Sequence, residues 1–213
     1  PICRAMRVPF VKMHGLGNDF VVLDARAGDV PEMTNRLAAA LSDRKTGIGC
    51  DQLILIEPSD SATFRMRIFN ADGGEVEACG NATRAVGLLH GAPATIETLG
   101  GLLSSNPADG GVAVDMGEPR FDWQTIPLAY AMDTAAMPVG WEDLDAPSAV
   151  NVGNPHVVFF VPDCAAAEVE RLGPLIERDP LFPARVNVNF ATVTSRDTIR
   201  LRVWERGVGE TRA

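Results

Sequence analysis

Arg65-Met-Arg-Ile-Phe-Asn-Ala-Asp-Gly-Gly-Glu-Val-Glu-Ala78 can be laid residue for residue over Arg200-Leu-Arg-Val-Trp-Glu-Arg-Gly-Val-Gly-Glu-Thr-Arg-Ala213, at an offset of 135. Two arginines, a glycine, a glutamate and an alanine coincide, and Met66/Leu201, Ile68/Val203 and Phe69/Trp204 are similar pairs. Upstream, Gly17-Asn18-x-x-Val21-Val22 matches Gly153-Asn154-x-x-Val157-Val158 at nearly the same offset, 136. Two matches in nearly one register point to a tandem duplication. The implied fold is two similar α/β (α+β) halves related by a pseudo-twofold axis. Cys79 follows Ala78, so the repeat also predicts a cysteine after Ala213.

Working outward, Phe64 to Phe69 alternates apolar and basic residues, as a half-exposed strand does. Gln52 to Glu57 is a short apolar run suited to a buried strand, and Cys79 to Leu89 suits a short helix. Val8 to Met13 and Phe20 to Asp24 read as strands joined by the turn His14-Gly-Leu-Gly-Asn18. Pro31 to Arg44 has helical spacing, with Pro31 placed in the first turn. After Gly100 the chain turns often, with one strand expected at Val112 to Met116. A Pro- and Asp-rich stretch, Pro119 to Pro147, marks the boundary between a domain 1–118 carrying Cys79 and a domain 119–213. The repeat reads that second domain as cut short. Strands are expected there at Val157 to Val161, Asn187 to Thr194 and Thr198 to Trp204, with a helix near Ala165 to Ile176.

The composition narrows the function. Of 213 residues, 46% are hydrophobic and 22% charged, enough for one large core or two small ones. A net charge of −9 argues against a nucleic-acid-binding face. No apolar run approaches the roughly 20 residues that span a bilayer. Pro1 to Met6 lacks the apolar segment of a signal peptide and reads as an extension before a start-like Met6. Cys3, Cys50, Cys79 and Cys164 are scattered with no CxxC pair. Reduced thiols in a cytoplasmic setting are therefore expected, rather than disulfides or a zinc site. With only Lys12 and Lys45 available, a pyridoxal-phosphate Schiff base has few anchors. The reading needs no cofactor and no metal.

Cys79, followed by Gly80-Asn81-Ala82-Thr83, sits where the helix should begin. A thiol there feels the positive end of the helix dipole, which favours the thiolate. The N–H groups of Gly80 and Asn81 could hold a carboxylate beside the sulfur. The plainer alternative is a small buried hydrophobe. Asn18, Asn70, Asn154 and Asn187 stand at strand ends, where their donors and acceptors could fix a zwitterion, although Asn is also a common turn residue. Glu205 and Arg206 fall at the repeat positions of Asn70 and Ala71. Arg grips carboxylates with two prongs, and Glu holds an ammonium. His156 is a supporting polar residue on this reading.

The segments His14-Gly-Leu-Gly-Asn-Asp-Phe20, Asp43-Arg-Lys-Thr-Gly-Ile-Gly-Cys-Asp-Gln52, Asn70-Ala-Asp-Gly-Gly-Glu75, Ala78-Cys-Gly-Asn-Ala82, Gly153-Asn-Pro-His156 and Glu205 to Ala213 resemble the diaminopimelate epimerase family. They run in order across nearly the whole chain. The resemblance implies two halves, each a curved, mostly antiparallel sheet around a central helix, with substrate in the cleft between them. It implies cofactor-independent interconversion of LL- and meso-diaminopimelate, in lysine and peptidoglycan-precursor biosynthesis. One cysteine takes the α-proton as thiolate, and a second gives one back from the opposite face. By motif, Cys79 matches a catalytic cysteine and Gly80 and Asn81 match carboxylate-binding positions. Asn18, Gln52, Asn70, Asn154, Asn187, Glu205 and Arg206 match substrate-binding positions, and His156 with Glu205 matches a polar pair near the reacting centre. The implied partner is a small molecule, with no nucleic acid or membrane, and a homodimer is compatible with the reading. A polypeptide that ends at Ala213 is expected to lack the second cysteine's motif. The rivals are a proline or hydroxyproline racemase-like isomerase of the same fold, and a non-catalytic binding remnant.

Overall fold

The structure, a computed structural model, describes residues 7–26 and 28–212. The expectations about Cys3, Met6 and Ala213 fall outside those residues. The chain divides into two compact units, 1–116 and 117–213.

The first unit opens with a hairpin of β1 (Val11–Gly15) and β2 (Asn18–Asp24), in which Gly15 faces Asn18. Leu16 and Gly17 between them have φ of 53° and 98°, as in the primed turns whose twist matches that of a hairpin. The second position favours glycine, and the repeat preserves it: Gly153 has φ 104°. Helix α1 (Asn35–Ser42) then carries the chain across to β3 (Gln52–Glu57), which runs parallel to β2. Strand β4 (Phe64–Asn70) returns antiparallel, and β5 (Glu75–Val76) folds back on it. Helix α2 (Gly80–His90) follows, then a meander of β6 (Ala94–Thr98), β7 (Gly101–Ala108) and β8 (Gly111–Asp115). The sheet order is β1-β2-β3-β4-β6-β7-β8, with β5 hanging from β4.

Strand alternation feeds two cores. Phe20, Val22, Ile54, Ile56, Met66 and Ile68 face Ala82, Ala85 and Val86 of α2. Val21, Leu23, Leu53, Leu55 and Phe69 face the other way, with Ala38 of α1. Each of the larger of these side chains (Val, Leu, Ile, Phe and Met) contributes about 1.5–3 kcal/mol on burial. Helix α2 touches β1, β2, β7 and β8, so the sheet curls until both edge strands meet the helix. Gly87 permits that approach, because a Cβ there would lie 2.9 Å from Val112 and 3.0 Å from Ser105.

Three expectations change here. Strand β1 runs from Val11 to Gly15 rather than from Val8 to Met13, because His14 and Gly15 pair with Asp19 and Asn18 and leave only Leu16 and Gly17 for the turn. Helix α1 starts four residues after Pro31, because Thr34 accepts the Leu37 amide at 3.2 Å and is the better cap. The helix stops at Ser42, where the Asp43 carboxylate takes the amides of Lys45 and Thr46 instead. The β6–β7 hairpin went unread because Leu99-Gly100 and Pro107 mimic a loop. Pro107 pairs with Val112 near the sheet edge, where proline is tolerated.

The second unit begins with a long irregular stretch holding a small hairpin, β9 (Gly140–Trp141) with β10 (Leu144–Asp145). This stretch is more than a boundary, since its Ile126, Leu128 and Met137 are buried in the unit's core. The sheet follows: β11 (Ser148–Asn151), β12 (Pro155–Phe160), β13 (Asn187–Ser195), β14 (Thr198–Glu205) and β15 (Gly209–Thr211), in that order. Between β12 and β13, the expected helix resolves into a 3₁₀ turn, Cys164–Ala166, and helix α3 (Val169–Glu177). Asp163 caps the first through the Ala165 amide. Val169, Leu172 and Ile176 of α3 pack with Val157, Phe159, Val188 and Phe190.

The duplication is now topological. Pairings β1–β2, β2–β3, β3–β4 and β4–β5 are antiparallel, parallel, antiparallel and antiparallel. Strands β11 to β15 repeat that series. The coincident Arg and Glu of the repeat are partners in each copy. Arg67 forks onto Glu75 at 2.8 and 2.8 Å, and Arg202 onto Glu210 at 2.8 and 3.0 Å. No helix among the described residues is long and apolar enough to cross a membrane.

Candidate active site

In the first unit, the residues singled out from sequence gather where β2 and β3 begin and β4 ends. Asn18, Gln52 and Asn70 are all buried there, at 1%, 4% and 6% exposure. The register sets Phe20 beside Gln52 and Gln52 beside Asn70. Gln52 Nε2 donates to Asn70 Oδ1 at 3.0 Å, and Asn18 Nδ2 to Asp51 Oδ2 at 3.3 Å. Both amides thus have their NH₂ groups turned inward. Their oxygens, Asn18 Oδ1 and Gln52 Oε1, are buried acceptors with no partner among the described residues, which is costly unless a donor arrives.

Cys79 is the N-cap of α2, in extended backbone with φ −148° and ψ 113°, and is 8% exposed. Its carbonyl already accepts from the Thr83 amide and hydroxyl. The sulfur therefore sits at the positive end of an eleven-residue helix. Gly80 opens that helix. Asn81 lies beside β1, since a Cβ on Gly15 would stand 3.7 Å from it, and its Oδ1 accepts from Arg84.

The second unit repeats this strand end with different side chains. His156 is opposite Asn187 on β13, and Val188 opposite Trp204 places Asn187 beside the Glu205 end of β14. Asn187 thus holds the repeat position of Gln52, an equivalence the sequence comparison missed because the two residues differ. Asn187 Nδ2 donates to the Pro155 carbonyl at 2.8 Å, and its Oδ1 accepts the Arg206 amide at 2.9 Å. Arg206 Nη1 reaches the Ala184 carbonyl at 3.0 Å, and Thr211 donates to Glu205 Oε1 at 2.8 Å. His156 Nε2 meets Asn154 Oδ1 at 2.9 Å, while Nδ1 faces the Asn189 amide NH₂ at 3.2 Å. Those partners fix a neutral ring with its proton on Nε2. Burial lowers the His156 pKa to about 4, and the Arg206 charge adds to the effect.

Several supporting residues escaped the sequence reading. Asn189 steadies His156 from 33 residues away. Glu177, 2% exposed, receives Trp204 Nε1 at 2.8 Å and the Gly207 amide at 3.0 Å, so it anchors the turn after Arg206. The Asp43-to-Gln52 motif finds its purpose in a charge cluster: Arg44 binds Asp19 at 2.6 Å and Asp51 at 2.7 Å, and Lys12 binds Asp19 at 2.7 Å. Burial pulls the Asp19 pKa up, but the hydrogen bonds from Arg44 and Lys12 outweigh it and hold this carboxyl well below the usual carboxylate range. Cys50 and Cys164 are core residues at 1% and 0% exposure, and burial pushes the Cys50 thiol up. No cluster of three or more His, Cys, Asp or Glu among the described residues could hold a metal.

The first unit is thus a sheet curled round a helix, with a thiol at that helix's N-terminus and amides on strand ends. Solved structures share it as a fold. A probable proline racemase from Agrobacterium radiobacter superposes with a TM-score of 0.69 at 17% identity, over 97% of this chain and 73% of that one. A hydroxyproline epimerase from Agrobacterium vitis gives 0.66 at 15%, over 96% and 72%. The family model described as diaminopimelate epimerase matches residues 10–122 and 148–213. Curated relatives named diaminopimelate epimerase are 69% identical in Erythrobacter litoralis and 70% in Rhizorhabdus wittichii, each over 98% of this chain and 77% and 76% of the relative. The chain belongs to the diaminopimelate epimerase family, which makes it an isomerase, and the racemase-like rival survives only as a relative in fold.

Proposed function

We propose that the chain epimerises LL- and meso-diaminopimelate in the cytoplasm, with Cys79 as the group that exchanges the α-proton. The observation that carries the reading is Cys79 at the cap of α2. There the dipole favours thiolate, and the first-turn N–H groups are free of helix bonds for a carboxylate. The thiolate takes the proton from Cα, the electron pair stays on carbon, and the sulfur becomes a thiol. Inversion then needs a second acid on the opposite face, since one base returns its proton to the side it left. By the family resemblance, that acid is another cysteine thiol. By the same resemblance, Asn18, Gln52, Asn70, Asn154, Asn187, Glu205 and Arg206 match positions that bind the substrate's ammonium and carboxylate groups. Neutral His156 supports them.

Incubation with LL-diaminopimelate in D₂O tests the assignment. Deuterium should enter at one α-carbon, and Cys79→Ser should abolish it. Binding by calorimetry without any exchange would favour the binding-remnant reading and overturn this one.

A further inference from the structure

The two partnerless oxygens at the strand ends have one cause in common. Asn18 Nδ2 is occupied by Asp51 Oδ2, and Gln52 Nε2 by Asn70 Oδ1. Each amide is thereby prevented from rotating its NH₂ outward, and what it leaves unmatched is an acceptor. At residue 18 the restraint is anionic and well supported. Asp51 Oδ2 also takes the Asp19 amide at 2.9 Å, and the Asp51 amide returns a bond to Asp19 Oδ1 at 2.9 Å. Arg44 spans Asp19 Oδ1 and Asp51 Oδ1. This clasp joins the starts of β2 and β3 immediately beside Asn18 and Gln52. A carboxylate can only accept, so an amide next to it must donate inward and present its oxygen.

We propose that Asp51, held by Arg44, is a positioning residue that sets the polarity of Asn18, so that this corner of the site takes a substrate ammonium rather than a carboxylate. The inference rests on the epimerase reading and sharpens which substrate group Asn18 meets.

The test measures diaminopimelate binding by calorimetry in the full chain, with thermal melts alongside. Asp51→Asn can donate as well as accept, which frees the Asn18 amide to turn, and it should weaken Kd about tenfold. The exchange Asn18→Asp/Asp51→Asn restores an inward bond and leaves a fixed acceptor at residue 18, so Kd should return to within about threefold of wild type. Both variants forfeit the same bond to the Asp19 amide, so their difference reports residue 18 and not the clasp. Asp51→Asn added to Asn18→Leu should weaken Kd no further, an outcome that a general structural role would not produce. Should Asp51→Asn alone fail to fold, near-wild-type Kd in the exchanged pair supports the proposal and loss of binding overturns it. Wild-type affinity in Asp51→Asn, or an exchanged pair no better than Asp51→Asn, overturns the inference alone. Wild-type protein that does not bind diaminopimelate overturns the epimerase reading with it.

Discussion

Phe20, Gln52 and Asn70 in the first unit occupy the same cross-strand positions as His156, Asn187 and Glu205 in the second. The first set is neutral. The second carries a carboxylate, and Arg206 stands where the first unit has Ala71. The repeated backbone therefore fixes where functional side chains stand, while the residue types decide which charge each corner receives. A second contrast concerns the sheet faces. Met66, under α2, is 1% exposed, whereas Leu201, at the same repeat position, is 50% exposed. Phe160, Val193 and Ile199, at 61%, 59% and 57%, belong to the same side of their sheet as Leu201. One strand pattern thus makes a core where a helix covers it and a largely open face where none of the described helices does, although Ala191 and Val203 on that side are still buried at 2% and 6%.

The strongest way to break the first contrast is chemical. Cys79→Ala should reduce α-hydrogen exchange by about 10³-fold, within the range for loss of an acid/base group, while the melting temperature moves little. The second contrast is broken by paired truncations. Met66→Ala should cost about 2–5 kcal/mol in urea unfolding and Leu201→Ala less than about 1. Equal losses would mean that the exposed face is covered in solution.

The two units should also differ in acid. Between pH 6.5 and about 4, the unfolded chain protonates His156 while the folded chain keeps it neutral. Stability that is fully present above pH 6.5 is then lost as pH falls, by up to about 3 kcal/mol once pH is below 4. His156→Phe, which installs the residue of the first unit, should flatten that part of the stability–pH profile. The smallest effect separates the crossover helices. Thr34 caps α1 through its side chain, and Glu168 makes no such bond to α3. Thr34→Ala should cost about 1 kcal/mol and Glu168→Ala less than about 0.5.

Much of this was legible in advance where one residue type had to stand at one place. Gly17 and Gly153 mark left-handed turns, the Arg67/Glu75 and Arg202/Glu210 coincidences mark one ion pair built twice, and Cys79 followed by Gly-Asn marks a helix start. What stayed hidden depended on distance or on substitution. Gln52 and Asn187 stand at the repeat's offset of 135 but differ in identity, so it is strand register that shows the shared position. Asn189 and Glu177 act on partners 33 and 27 residues away, and neither sits in a motif. The β6–β7 hairpin failed to show because glycine and proline signal loops more often than edge strands. Asp51 lies in the Asp43-to-Gln52 motif, but its contact with Asn18 spans 33 residues and depends on the fold.

The parallel pair β2–β3 bears on how the chain reaches this state in time. Hairpins such as β3–β4 and β13–β14 join residues close in sequence and can zip early. Pairing Phe20 with Gln52, or His156 with Asn187, must instead close a loop around an entire helix, and that entropy is lost before any contact is gained. Asn18 and Gln52 stand on the two sides of that late closure. In a refolding experiment, amide protection should therefore grow first in the hairpins, and the capacity to bind substrate should emerge with the slowest phase.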